Sequence, residues 1–179
     1  MLDKLRIAIV LVVIGAVSGL TIYSVNLLTK DTIAQNRIEK EQSYYKELFF
    51  LDSDEEVTFE VEDFDDEAIE QEITLYNEAG DVIGYIYKGI EQNNYGEVVV
   101  LLGMNVDGTI SNVVISSTTN TPTFVKVIRT VYLSNFQSQD ASDITLDGNT
   151  GATYTYTSVV HIVEDAATYF LGHRGDQDE

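Results

Sequence analysis

Cysteine is absent from the 179-residue chain, which excludes disulfides, a cysteine-ligated iron–sulfur cluster and a lipoprotein anchor on an acylated N-terminal cysteine. Any redox chemistry must therefore use another cofactor. Positive charge is also scarce. The 10 Lys and Arg stand against 30 Asp and Glu, a formal charge of -20; such a surface repels phosphate backbones, and nucleic acid is not an expected partner. Between Lys46 and Lys88 no basic residue occurs. Histidine appears only at 161 and 173. His161 and Asp165 lie one turn apart on a predicted helix, but two ligands make no metal site, and a partly buried histidine is the expectation. His173 falls in a polar tail. With 44% hydrophobic residues, the chain has enough apolar content for one modest core plus an accessory segment.

The accessory segment is N-terminal. Ile7 to Thr29 carries no charge and reads IAIVLVVIGAVSGLTIYSVNLLT, which spans roughly 35 Å as a helix, enough to cross a bilayer. Lys4 and Arg6 precede it, so the positive-inside rule keeps residues 1–6 in the cytoplasm and sends everything after Lys30 across. A cleavable signal peptide is the competing reading, because Ala16, Val17, Ser18 and Gly19 offer small residues, but apolar residues continue through Leu28. A soluble buried helix would carry some polar face, and this stretch has none.

Residues 30–50 follow as a predicted amphipathic connecting helix, with Thr29 or Asp31 as its N-cap and Ile33, Ile38, Tyr45 and Leu48 as its apolar positions. Residues 51–71 are acidic: Asp52 to Glu72 contains twelve carboxylates, and self-repulsion predicts a largely loose, solvated stretch. Its spacing fits no EF-hand loop. From Glu72 the hydrophobic period becomes two. EITLYN, DVIGYIYKGI, GEVVVLLGMN and GTISNVVISS are separated by turn signals at Ala79-Gly80, Asn93-Asn94 and Asp107-Gly108, which predicts an antiparallel meander. Pro122, the sole proline, suits a first helical position, and Val125, Ile128, Val131 and Tyr132 follow at helical spacing. A last helix is predicted with Thr157 or Ser158 as N-cap, ending at Gly172. The fold class is α+β, a twisted antiparallel sheet flanked by helices.

The stretch DGNTGATYTYTSVV, Asp147 to Val160, gathers hydroxyls just ahead of that last helix. Gly151 permits a tight turn, and a helix start offers unpaired amides with partial positive charge, so an anion such as a phosphate diester is favoured there within an otherwise acidic domain. Thr153, Thr155, Thr157 and Ser158 each carry an oxygen able to contact or bond a phosphate. No histidine or lysine near Thr153 in sequence would deprotonate it. Tyr85, Tyr87 and Tyr95 alternate as strand packing residues do, and they also have rings able to stack on a planar ligand.

Thr150, Gly151, Ala152 and Thr153 resemble the flavinylation motif of the FMN-binding domain family, found in the G-type component of Rnf electron transport complexes (RnfG) and the C-type component of sodium-translocating quinone reductases (NqrC). The resemblance extends in order through the anchor, LTKDTIAQNRIEKEQ, VIGYIYKGI, YGEVVVLLGMNVDGTISNVVI, TNTP and the threonine motif, and the layout is most similar to the RnfG type. It implies an FMN-binding domain over 72–172, a polar tail over 173–179, and FMN joined through a phosphoester to Thr153, with Thr150, Gly151, Ala152, Thr155, Thr157 and Ser158 about it. It also implies an ApbE-type flavin transferase as the maturation partner, and electron relay among the other Rnf membrane components (RnfA, RnfB, RnfC, RnfD and RnfE) on the extracytoplasmic side during ion-coupled ferredoxin to NAD transfer. The sequence departs from the family at Asn120, Thr121, Pro122, Thr123 and Phe124, where a glutamate before Thr-Pro and glycines after it are usual. Two alternatives stay open: a stand-alone membrane-anchored flavoprotein passing electrons to an extracellular acceptor, and a flavin-free binding or sensor module of the same fold.

Overall fold

The computed structural model describes residues 2–64, 69–145 and 152–174. The chain divides into two units, Met1–Gln42 and Ser43–Glu179. In the first, helix α1 (Leu2–Leu48, whose last turns belong to the second unit) contains a 24-residue stretch, Arg6–Thr29, long and apolar enough to cross a membrane and entirely unburied. Thr21, Ser24 and Thr29 donate their hydroxyls to the carbonyls of Val17, Leu20 and Val25 at 2.8, 2.8 and 2.9 Å. Polar groups are thereby satisfied within the helix, as a lipid environment requires. The stretch is compatible with single-pass membrane anchoring. The stretch expected as a connecting helix is helical to Leu48 as part of α1, and Thr29 bonds back to Val25 instead of capping a new start.

The second unit is built on a five-stranded sheet, β1 (Thr58–Asp63), β2 (Ile69–Tyr76), β3 (Val82–Asn93), β4 (Gly96–Asn105) and β5 (Ile110–Thr118). Its spatial order is β1-β2-β3-β4-β5, and every neighbouring pair is antiparallel. The predicted meander is present. Left-handed glycines close two of its turns, Gly80 at φ 87° and Gly108 at φ 84°. The acidic segment, by contrast, is not wholly loose, since it contributes β1. The β1 carboxylates Glu60, Glu62 and Asp63 are exposed to solvent, where their repulsion is weak, and neutral donors meet two of them: Gln71 to Asp63 at 2.6 Å and Tyr76 to Glu60 at 3.0 Å. Phe59 also packs edge-on to Tyr45, with ring centroids 5.4 Å apart. Asp65, Asp66 and Glu67 lie outside the described residues.

Both faces of the sheet are covered. On one, Tyr45 and Leu48 from the end of α1 pack with Ile73, Leu75, Ile86, Leu101 and Val114. On the other, Tyr87, Val100, Leu102, Met104, Val113 and Ile115 pack against the remaining helices. This explains why β4 reads as a continuous apolar run: its two faces belong to two separate cores, and burying residues of both parities removes any need for a polar side.

After β5 the chain forms α2 (Pro122–Val127), widens into a π turn over Ile128–Tyr132, and tightens into a 3₁₀ turn over Leu133–Phe136. Pro122 opens it as expected, but the pitch is not regular. Ile128, Leu133 and Phe136 are all buried, whereas Val131 is 53% exposed; at 3.6 residues per turn Ile128 and Leu133 would not share a face, and the change of pitch lets them. Helix α3 (Thr153–Arg174) closes the fold. It starts ahead of the predicted cap at Thr157 or Ser158 and runs past Gly172. At its far end Arg174 donates to the buried Glu72 carboxylate at 2.6 Å and lies 4.6 Å from the Tyr85 ring centroid, so the last turn is held by tertiary partners instead of ending on glycine. The Glu72 contact holds the Arg174 guanidinium above its ordinary range.

Candidate functional site

Three segments meet beside the start of α3: the β3–β4 hairpin tip, the junction of β5 with α2, and the first turns of α3. At the tip, Asn93 pairs with Gly96, and the Asn93 side-chain carbonyl accepts the backbone N–H of Tyr95 at 2.9 Å. Gly96 has φ 131°, and a Cβ there would collide with Thr119 Oγ1. The tight approach lets the Thr119 hydroxyl accept the Glu97 amide at 2.9 Å while the Thr119 amide donates to the Glu97 carbonyl at 3.0 Å. Thr118 Oγ1 then accepts the Asn120 amide at 3.1 Å and sets that residue's direction.

Asn120 joins the three segments. Only 4% exposed, its side-chain amide donates to Thr155 Oγ1 at 2.9 Å and to Asn93 Oδ1 at 3.3 Å. Asn93 in turn donates to Ser158 Oγ at 2.9 Å, Ser158 donates to Glu91 Oε1 at 3.2 Å, and Glu91 Oε2 faces His161 Nδ1 at 3.2 Å. The chain of contacts ties α3 to the hairpin through its buried polar face. One atom is left over: Asn120 Oδ1 is buried with no hydrogen-bond partner among the described residues. A buried acceptor left unpaired costs about 1–3 kcal/mol, so the site has an unmet demand for a donor.

The predicted site residues fall as follows. Thr153 is the first residue of α3 and is exposed. Ala152 is buried, and its carbonyl accepts the Tyr156 amide at 3.1 Å, which makes it the residue that caps the helix. Thr155 and Ser158 are buried in the polar chain just described, and Thr157 is half-buried. Thr150 and Gly151, with Asp147, lie outside the described residues. His161 is not partly buried as expected but 54% exposed at the side chain, because its ring reaches outward to Glu91. His173 belongs to α3, not to a tail, and stacks on Tyr169 with centroids 4.0 Å apart. No group of three potential metal ligands occurs among the described residues.

Of the three tyrosines expected in strands, Tyr87 and Tyr85 lie in β3: Tyr87 is fully buried against Tyr169 and Phe170, and Tyr85 carries the Arg174 contact. Burial first, then the nearby Glu72 carboxylate, pushes the Tyr87 hydroxyl far above its usual range, and its oxygen makes no hydrogen bond of normal geometry among the described residues. Tyr95 is different. It stands at the hairpin tip, 54% exposed, with its ring centroid 5.4 Å from that of Tyr154, which is 51% exposed. Sequence reasoning missed Tyr154, Glu91 and the structural weight of Asn93 and Asn120. Asn93 had registered only as a turn residue and Asn120 only as a departure from a pattern.

An exposed threonine that opens a long helix, beside a locked hairpin, suits attachment of a phosphate-bearing group, because the first amides of a helix have no acceptor within it. Residues 94–168 match the FMN-binding domain. None of the curated proteins compared with the chain matches it. The FMN-binding domain match begins on the β3–β4 turn and ends within α3, so it contains Tyr95, Asn120, Thr153, Thr155 and Ser158 and leaves β1, β2 and β3 outside. It supports the FMN-binding family and a flavin-binding electron carrier. The residues present fit such a group: a helix start for its phosphate, an unpaired buried acceptor, and exposed aromatic rings.

Proposed function

We propose that the chain is the RnfG-type component of an Rnf-like ion-translocating complex, anchored by α1 and carrying FMN as a phosphoester on Thr153 on the extracytoplasmic side. The observation that carries this reading is the position of Thr153: exposed at the start of α3, inside the stretch that matches the FMN-binding domain, and last in the run Thr150-Gly151-Ala152-Thr153. When bound, FMN supplies one- and two-electron redox chemistry. The chain's own residues position it. Ala152 caps the helix start, the first α3 amides would be available to the phosphate, and the network from Thr155 to Glu91 keeps that helix start fixed on the sheet. The residues about Thr153 include no histidine or lysine base, so attachment is assigned to an ApbE-type transferase acting on FAD. In that transfer the Thr153 oxygen would bond the flavin-side phosphorus as the pyrophosphate bond breaks, AMP would leave, and the hydroxyl proton would pass to a base of the transferase. The positive charges at Lys4 and Arg6, just ahead of the apolar run, support the orientation.

The test is intact mass after co-expression with the transferase. The wild type gains the mass of FMN less one water, and Thr153→Val gains nothing. A wild type left unmodified by a transferase that modifies a control substrate overturns the attachment. Recovery from native membranes together with the other Rnf components separates complex membership from a stand-alone carrier.

A further inference from the structure

We propose that Tyr95 and Tyr154 form an aromatic clasp that holds the isoalloxazine ring of a flavin attached to the adjacent Thr153. The inference rests on the Thr153 attachment reading and adds the ring contacts that reading lacks. Large aromatic side chains are usually buried because each removes a large apolar area from water. Here two of them, 54% and 51% exposed, stand edge to face 5.4 Å apart, and one of them is the residue that follows the threonine. Tyr154 is the next residue along the helix, turned about 100° from Thr153 about the axis, a separation that a ribityl phosphate tether can span.

The clasp is held in place from beneath. Tyr95 is pinned through its backbone to Asn93, Gly96 allows the hairpin tip to press on Thr119, and Asn93 and Asn120 bond to Ser158 and Thr155 of the helix that carries Tyr154. Both rings thus sit on elements fixed to one another by buried and half-buried hydrogen bonds, so a planar ligand docking on them would not have to order either element. The acidic composition adds a constraint on the ligand: with net charge -20, ring stacking offers attraction that does not depend on charge.

The experiment uses the full chain in detergent, flavinylated by the transferase, with stoichiometry fixed by intact mass. Flavin anisotropy decay and visible-region circular dichroism then report how firmly the ring is held. Tyr95→Leu and Tyr154→Leu are each expected to lower the ratio of held to freely rotating flavin by about 2- to 10-fold, the effect of losing one aromatic contact, while Tyr95→Phe and Tyr154→Phe keep it near the wild-type value. Far-UV circular dichroism checks that the variants fold. Full mass gain with the same anisotropy and visible signal in wild type and both leucine variants overturns the clasp and leaves the attachment intact. No mass gain in the wild type overturns the attachment and the clasp together. A leucine effect seen only as a change in oligomeric state, with flavin mobility unaltered, also overturns it, and assigns the rings to self-association.

Discussion

Asn120 and Thr155 provide the sharpest test of how the site is held, because opposing terms act on one side chain. Asn120→Ala removes two donated hydrogen bonds, to Thr155 at 2.9 Å and to Asn93 at 3.3 Å, worth about 0.5–1.5 kcal/mol each. It also removes the unpaired Oδ1, whose burial costs about 1–3 kcal/mol. With a small cavity added, the net loss is about 1 kcal/mol. Thr155→Val keeps the shape but takes away the better acceptor, leaving the Asn120 amide with the longer bond alone, and costs about 1–2 kcal/mol. In the double variant neither partner remains, so its loss falls short of the sum by about 1 kcal/mol, the net worth of that hydrogen bond. The chain has no tryptophan and 11 tyrosines, so urea unfolding of the full chain in micelles is followed by tyrosine emission. With a slope near 2 kcal/mol per molar urea, the non-additivity appears as about 0.5 M in the midpoint. Additivity within about 0.3 kcal/mol would refute the role given to the bond.

Two further outcomes follow from the opposite end of α3. Arg174→Ala strands the buried Glu72 carboxylate, 4% exposed, and removes the contact with Tyr85; a loss of about 2–4 kcal/mol is expected by urea midpoint, and a loss below about 0.5 kcal/mol would show that the carboxylate finds water instead. Tyr87 contributes to alkaline stability. Its folded pKa lies above the unfolded value near 10, so its contribution is complete below about pH 10 and declines as pH rises through the interval up to the folded pKa, by up to about 1.4 kcal/mol per pH unit. Tyr87→Phe removes that decline, and since the hydroxyl has no hydrogen bond of normal geometry among the described residues, the variant is expected to match the wild type at neutral pH. Parallel alkaline limbs for the two proteins would count against the assignment.

Strands β2, β3 and β5 were legible by alternation, β4 by its apolar run, and all four by two-residue turn signals, because these cues are local; Gly80 and Gly108 mark turns by conformation alone. β1 was not, because charge density hid a strand whose partner is set by the neighbouring β2 and whose anchor, Phe59 on Tyr45, depends on a helix distant in sequence. The start of α3 was misread for the same reason. Hydroxyl residues favour caps when considered alone, but Thr155 and Ser158 have side-chain amide partners 35 and 65 positions away, which makes helical positions tolerable. At the site, the threonine run and the helix were visible in sequence, whereas the asparagine links and the pairing of Tyr95 with Tyr154 required the strands to be brought together.

Those separations also govern when the site forms. The bonds joining Asn120 to Thr155 and Asn93 to Ser158 close loops much longer than any hairpin turn in the sheet, and contacts of long sequence separation form late because their closure entropy must be met first. The β3–β4 hairpin can zip locally, but its tip gains the partners on α3 only once the C-terminal helix has docked. Order around Thr153 is therefore among the last events of folding, and hydrogen exchange at the hairpin tip during refolding would lag behind exchange in the centre of β4.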